Sequence, residues 1–86
     1  MKAKIKEILR PDVFRIQFDD NVTKMLIDRR ILYLIKNSEN YVFLMMKLKE
    51  LLQNRTVDIL RSEALSKGLC TGRIYIEGRH ISSYLG

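Results

Sequence analysis

The 86 residues are 47% hydrophobic and 30% charged, which is typical of one folded domain and too apolar for a disordered chain. Sixteen Lys and Arg residues against ten Asp and Glu give a formal charge of +6, which favours polyanionic partners such as nucleic acid. The single cysteine, Cys70, excludes an internal disulfide and a cysteine cage for a metal, so we expect it to be a small core residue.

No stretch of the chain predicts a membrane segment or a secretion signal. The longest apolar runs, Ile31–Ile35 and Tyr41–Met46, are far shorter than the roughly 20 residues that span a bilayer. The basic stretch Met1–Pro11 lacks the apolar centre of a signal peptide. We therefore expect no membrane partner and a cytoplasmic location.

The N-terminal half predicts a run of short β-strands. Ala3–Leu9 alternates imperfectly and has a basic outer face, whereas Val13–Phe18 alternates cleanly between apolar and polar side chains. Val22–Ile27 follows as a third strand. Ile31–Ile35 is apolar on both faces and predicts a central strand that is covered from both sides.

The clearest prediction is a helix from Ser38 to Asn54. Its apolar side chains recur at the spacing of one buried stripe, formed by Tyr41, Leu44, Met45, Leu48, Leu51 and Leu52. Ser38 or Asn37 is suited to cap its start, and Asn54 to end it. A helix between strands needs a concave apolar surface to cover, which a small curled sheet provides.

Val42, Phe43 and Met46 lie on the opposite face of this helix. Three apolar side chains are too many for a helix face that stays in water. One interpretation is that the C-terminal residues cover them. The alternative is a surface for self-association or for a protein partner.

After the helix the chain returns to strands. Thr56–Arg61 alternates weakly, and Ser62–Gly68 predicts a loop. Leu69–Ile76 and Arg79–Ile81 predict a hairpin around a Glu-Gly turn. Ser82–Leu85 is similar to the capped first turn of a helix. The order predicts a mainly β fold with one central helix: a single domain formed by a five-stranded OB-fold barrel with a truncated C-terminal helix.

Three stretches resemble staphylococcal-nuclease-like domains. Lys47–Val57 is similar to that family's passage from helix to strand, and Gly72–Ile81 to its last barrel hairpin. Leu9–Ile16 is similar to the family's first turn, I-D-G-D-T-F-x-V. The resemblance spans nearly the whole chain and implies an OB barrel with the helix between strands three and four.

In active members, the resemblance implies, acidic side chains hold a calcium ion, a glutamate activates water and two arginines neutralise the phosphate. Asp12 falls on a calcium-ligand position of the first turn, but Arg10 and Pro11 replace the aspartate and the glycine before it. The second arginine follows the glycine of a Y-G-R motif in the family, and that position is Leu69 here.

The family's second motif, R-L-I-G-I-D-T-P-E, fits the chain in two registers. Placed on Arg30–Ile35, it keeps the first arginine, as Arg30, but loses the second metal ligand and the glutamate. Placed on Thr23–Asp28, it keeps the aspartate, as Asp28, but loses the arginine and the glutamate. We prefer the first register, because the second leaves Ile31–Ile35 in a surface loop.

Loss of one phosphate-stabilising group typically slows such a reaction by about 10²–10³-fold. Because at least the base and one arginine are absent together, we expect no nuclease of the usual mechanism. Asp12 and Arg30 would be remnants of the catalytic site. Calcium would be a cofactor only if a rearranged catalytic site were active, and Asp12 is then its candidate ligand.

A cationic groove with one or two aromatic side chains is how OB-folds hold single strands. The residues predicted to bind nucleic acid are Lys4, Lys6, Arg10, Arg15, Arg29, Arg30, Arg73, Tyr75 and Arg79. Tyr33 and Tyr84 are further candidates for stacking on a base. His80, Ser82 and Ser83 have no catalytic partner at a recognisable spacing, so we expect an edge histidine and two capping serines.

Three functions follow from these observations. The leading one is a non-catalytic, nuclease-like OB domain that binds the backbone of RNA or DNA. The first alternative is a protein-interaction or dimerisation module that uses Val42, Phe43 and Met46. The second alternative is a weak calcium-dependent nuclease with a rearranged site.

Overall fold

Six β-strands and one α-helix are present in residues 1–31 and 41–85, which the computed structural model describes. The elements in chain order are β1 (Lys2–Arg10), β2 (Val13–Phe18), β3 (Thr23–Ile27), a 3₁₀ turn (Arg29–Ile31), α1 (Tyr41–Leu52), β4 (Thr56–Ser66), β5 (Leu69–Ile76), β6 (Arg79–His80) and a second 3₁₀ turn (Ile81–Tyr84).

The first five strands form a closed barrel. β1 pairs antiparallel with β2 and with β4, β2 pairs with β3, and β4 pairs with β5. The barrel closes where β3 and β5 run in parallel, with Met25 opposite Leu69 and Ile27 opposite Thr71. The prediction of a small barrel with one helix between its third and fourth strands is therefore confirmed.

The imperfect alternation of β1 comes from a bulge. Its buried side chains are Ala3, Ile5 and Ile8, and the pairing with β2 shifts register between Ile5 and Glu7. A bulge adds one residue to one strand and so moves the next side chain to the other face. The extra residue brings Ile8 back into the core, which a strict two-residue alternation does not allow.

The buried stripe of α1 is narrower than predicted. Leu44, Leu48 and Leu52 enter the barrel core, while Met45 and Leu51 pack against it from the side. Tyr41, which we predicted on the stripe, is exposed. The predicted helix start at residues 38–40 lies outside the described residues.

The C-terminal end of α1 is fixed to β1. Asn54 takes a left-handed backbone conformation (φ +61°), which ends the helix as predicted. Its N–H then donates to the carbonyl of Ile5 (3.0 Å), and the N–H of Ile5 donates to the carbonyl of Arg55 (2.9 Å). These two bonds set the helix over the apolar end of the barrel.

The predicted loop after β4 is wrong, and the predicted strand Ile31–Ile35 is wrong at its first residue. Ile31 belongs to a 3₁₀ turn rather than to a central strand, and the remainder of that predicted strand, residues 32–35, lies outside the described residues. The predicted loop Ser62–Gly68 is mostly strand, because β4 continues to Ser66 opposite β5. The third strand, Thr23–Ile27, lies within the predicted strand Val22–Ile27.

The last hairpin has the predicted turn. Glu77 (φ +51°) and Gly78 (φ +79°) both have positive φ, the combination that a two-residue type I′ turn requires. The residues that follow form a single 3₁₀ turn, and His80 rather than a serine stands at its N-cap position. The side chain of Ser83 donates to the carbonyl of His80 (2.8 Å).

Candidate functional site

A surface cleft of about 430 Å³ lies where the turn after β3 meets the middle of β5. We call it the arginine cleft. Its lining residues are Ile27, Arg29, Arg30, Glu63, Thr71, Gly72 and Arg73. Three of these seven carry a positive charge and one carries a negative charge.

The parallel pairing of β3 with β5 brings the arginines together. Ile27, the last residue of β3, lies opposite Thr71, so the turn that follows β3 runs beside the next residues of β5. Arg29 and Arg30 belong to this turn, and Arg73 lies two residues beyond Thr71. All three arginine side chains are exposed. Two distant parts of the chain therefore present cations to the same cleft.

Among the described residues, the cleft arginines differ from Lys2, Arg10 and Arg15 in having no acidic partner at ion-pair distance. Lys2 pairs with Asp58 (3.0 Å) and Arg15 with Glu7 (2.9 Å). Within residues 1–31 and 41–85, no carboxylate lies at ion-pair distance from a guanidinium group that lines the arginine cleft. Their charge is thus available to a ligand.

The predicted nucleic-acid-binding residues do not form one continuous face. Arg29, Arg30 and Arg73 share the arginine cleft. The others lie elsewhere: Lys4, Lys6 and Arg10 on β1, Arg15 on β2, Tyr75 on β5 and Arg79 on β6. Arg10 lies near Asp12 (3.5 Å), and Arg79 lies over the ring of Tyr84 (5.5 Å).

The predicted stacking residues offer little free ring surface. Tyr75 is half-buried and packs edge-on against the His80 ring, with 5.7 Å between the ring centroids. The hydroxyl of Tyr84 donates to the carbonyl of Ile76 (2.9 Å), which holds this ring against the last hairpin. Tyr33 lies outside the described residues. The cleft therefore offers cations to phosphate groups, whereas the described tyrosines offer little ring surface for stacking on a base.

The carboxylate of Asp28 lies beneath the arginine cleft and is fully buried. Its Oδ1 accepts a hydrogen bond from the N–H of Arg30 (3.1 Å). Its Oδ2 accepts one from the N–H of Ile74 (3.1 Å) and lies 2.7 Å from Nε2 of His80. A buried carboxylate needs such donors, because an unpaired one is very costly to remove from water.

The prediction that His80 is an edge residue is wrong, since its side chain is buried against Asp28. The N–H of Ser82 donates to Nδ1 of His80 (3.1 Å), so Nδ1 acts as the acceptor and Nε2 is the ring nitrogen placed to donate. Nε2 then donates to Asp28. The Ser82 hydroxyl lies 2.7 Å from the same Nδ1, so the expectation that Ser82 lacks a basic partner is also wrong.

Asp28, His80 and Ser82 are the residue types of a hydrolase triad, but their positions serve the fold. His80 is buried, and neither His80 nor Ser82 lines the arginine cleft. The chain of contacts runs from the end of β3 through β6 to the C-terminal 3₁₀ turn. It therefore connects the residue after β3 to the C-terminal segment, 52 residues further along the chain.

The residues present do not fit a calcium ion. Asp12 is buried in the turn between β1 and β2, and its Oδ1 accepts no hydrogen bond from the described residues. Both oxygens of Asp28 are already used by His80, Ile74 and Arg30. Calcium takes six to eight oxygen ligands. Within the described part of the chain, no three His, Cys, Asp or Glu side chains are grouped to hold a metal ion.

The structure does not bring together Asp12, Arg30 and Leu69, the residues that the resemblance placed at catalytic positions. Arg30 lines the arginine cleft, whereas Asp12 and Leu69 do not. Asp12 is connected to Asp28 only through the backbone, where the N–H of Asp28 donates to the carbonyl of Asp12 (2.9 Å). The cleft is therefore built from arginines that the family motif does not include, together with Arg30.

The apolar face of α1 opposite its buried stripe is open to solvent. Val42 is 71% exposed, Phe43 56% and Met46 57%. The C-terminal residues Tyr84 and Leu85 instead lie beside Leu51, so the interpretation that they cover this face is wrong. We call Val42, Phe43 and Met46 the exposed helix face.

Comparisons of the chain with protein-family models, with curated proteins and with solved structures found no match. In residues 1–31 and 41–85, no helix has both the length and the apolar character needed to cross a membrane.

Proposed function

We propose that this chain is a non-catalytic OB-fold domain, related to staphylococcal-type nucleases, that binds the backbone of RNA or DNA. The strand order β1-β2-β3-β5-β4, with a helix between β3 and β4, agrees with that family's barrel. One observation carries the binding proposal: three exposed arginines without acidic partners converge on one cleft.

Guanidinium groups are well suited to phosphate. Each presents a planar fork of N–H donors that can bind two phosphate oxygens at once. Arg29 and Arg30 approach the cleft from the turn after β3, and Arg73 approaches from β5, so a backbone that passes through it meets cations from both sides. Contacts to phosphate position a nucleic acid without reading its sequence. We therefore expect weak sequence preference.

Binding is tested by titrating the protein into a labelled single strand of about 12 nucleotides and following fluorescence anisotropy. Three phosphate contacts on a single strand give a slope of log K against log salt of about −2. Raising the salt from ~50 to ~200 mM is therefore expected to weaken binding by about 20-fold. RNA and DNA strands of the same sequence are titrated in parallel. Undetectable binding at the lower salt, or affinity that does not change with salt, would contradict the proposal.

Cleavage of the bound nucleic acid is not part of the proposed function. The carboxylates near the cleft do not supply the ligands of a calcium ion, and Leu69 occupies the position of the second catalytic arginine. The protein would hold a nucleic acid without breaking it.

A second candidate function is a protein-interaction or dimerisation module, which the exposed helix face favours. If two copies associate through this face, sedimentation velocity at ~100 µM will show a dimer, and the double variant Phe43→Ser/Met46→Ser will be monomeric. The matched control is Lys4→Ser/Lys6→Ser, two exposed lysines on β1, which should leave the dimer intact. A wild-type protein that is strictly monomeric at this concentration excludes the homodimer.

A further inference from the structure

Asp28 connects both elements that carry the cleft arginines. Through Oδ1 it accepts from the N–H of Arg30 and so holds the turn that contains Arg29 and Arg30. Through Oδ2 it accepts from the N–H of Ile74, the residue next to Arg73 on β5. One buried carboxylate therefore sets the distance between the two halves of the arginine cleft.

On charge alone, Asp28 opposes the binding of an anion. A negative charge directly beneath three arginines lowers the positive potential of the cleft. A cleft that depended only on its total charge would bind phosphate better without this residue. Any benefit that Asp28 brings to binding must therefore come from geometry.

The surroundings of Asp28 hold the carboxylate in a single orientation. Nε2 of His80 donates to Oδ2, and Ser82 contacts the other nitrogen of the same ring. Because both carboxylate oxygens are engaged and the side chain is fully buried, the group has no freedom to turn. The backbone N–H groups of Arg30 and Ile74, which donate to this carboxylate, are therefore held in place as well.

We propose that Asp28 is a positioning residue of the arginine cleft: it holds the Arg29–Arg30 turn against β5 so that neighbouring phosphates of one strand contact guanidinium groups from both elements at once. This inference rests on the proposed nucleic-acid binding. Asp28 itself does not touch the ligand. Its effect is exerted through the backbone of Arg30 and Ile74.

The test compares two substitutions that each remove one negative charge, Asp28→Asn beneath the cleft and Glu63→Gln on its rim. Glu63 is exposed and lines the cleft, so its loss only raises the positive potential, and we expect binding to tighten by about twofold at ~0.1 M salt. An Asn side chain at position 28 has one acceptor oxygen. It cannot accept from Arg30, Ile74 and His80 together.

For Asp28→Asn we expect binding to weaken by about fivefold at ~0.1 M salt, although the net charge rises. The magnitude of the slope of log K against log salt is expected to decrease by about 0.7, the value of one phosphate contact. A merely destabilised domain that is still folded would keep the slope of the wild-type protein. Measurements are made well below the unfolding midpoint of each variant, which circular dichroism determines.

The wild-type protein provides a second measurement in case Asp28→Asn does not fold. In an NMR titration with the single-stranded oligonucleotide, the Nε–H signals of Arg30 and Arg73 and the amide signals of Arg30 and Ile74 are expected to shift with one common midpoint. Response of only one element, or separate midpoints for the two, would overturn the inference.

The outcomes separate this inference from the proposed function. If the wild-type protein does not bind an oligonucleotide, the proposed function fails. If it binds and both substitutions tighten binding, the proposed function stands and the positioning role of Asp28 is wrong. Tighter binding by Glu63→Gln together with weaker binding by Asp28→Asn supports both.

Discussion

Replacing Arg29, Arg30 and Arg73 together with alanine is expected to weaken the binding of a single-stranded oligonucleotide by about 100-fold at ~0.1 M salt. Each phosphate contact on a single strand releases about 0.7 of a counterion, which is worth roughly 1 kcal/mol at this salt concentration. Three contacts give about 3 kcal/mol, which corresponds to an increase of about 100-fold in the dissociation constant. The three side chains are exposed, so their loss should leave the fold intact.

The matched control removes three positive charges from another part of the surface. Lys2 pairs with Asp58, Lys47 lies over the ring of Phe43, and Lys49 is exposed at the end of α1. Their joint replacement with alanine changes the net charge by the same amount, and we expect it to weaken binding by less than about fivefold, because charges beyond roughly a Debye length act weakly. Equal losses in both triple variants would show that binding depends on total charge and that the arginine cleft is not the site.

Asp28→Ala is expected to lower the free energy of unfolding by about 3–5 kcal/mol. The substitution leaves the N–H of Ile74 and Nε2 of His80 buried without their acceptor, and it opens a small cavity beneath the cleft. The control is Asp58→Ala, which breaks an ion pair that is exposed to water. We expect it to cost less than about 1 kcal/mol. Urea denaturation of both variants gives the comparison.

A double-mutant cycle tests whether Asp28 and His80 stabilise the fold through each other. Because each single substitution already breaks their contact, the double variant Asp28→Ala/His80→Ala should lose less stability than the two single losses added together, by about 0.5–3 kcal/mol. Strict additivity, or a loss in Asp28→Ala no larger than in Asp58→Ala, would show that the buried pair has no such role.

The parts of the fold that could be predicted are those determined by local pattern. Val13–Phe18 and Leu69–Ile76 were both predicted with their observed bounds. In Val13–Phe18 one face meets the core and the other meets water, so alternation in the sequence reflects burial directly. The turn at Glu77-Gly78 and the end of the helix near Asn54 were predictable for a similar reason, since each depends on the backbone preferences of one or two residues.

The errors arose where burial does not follow a local pattern. The last residues of β4, from Glu63 to Ser66, are all exposed, so no alternation distinguishes them from a loop, and only pairing with β5 makes them a strand. Ile31 was assigned to a strand because of its apolar neighbours. It is in fact buried at the end of a 3₁₀ turn. A short apolar run alone does not determine its secondary structure.

For the candidate site too, the residues could be predicted from the sequence but their arrangement could not. The sequence indicated that Arg29, Arg30 and Arg73 bind a polyanion, but it placed them among six other candidates without grouping them. Their grouping depends on the parallel pairing of β3 with β5, a contact between distant segments. The Asp28–His80 pair was missed because its members are 52 residues apart. The preferred register of the family motif, on Arg30–Ile35, assigns no role to Asp28 and so gave no reason to seek a partner for this residue.

The most direct test of binding in the arginine cleft is the slope of log K against log salt, measured for the wild-type protein and for the variant Arg29→Ala/Arg30→Ala/Arg73→Ala. If these three guanidinium groups bind phosphates, the magnitude of the slope should fall by about 2 in the variant. A variant whose slope equals that of the wild-type protein would show that the phosphates are bound elsewhere, and would contradict the proposal that this cleft is where a nucleic acid is held.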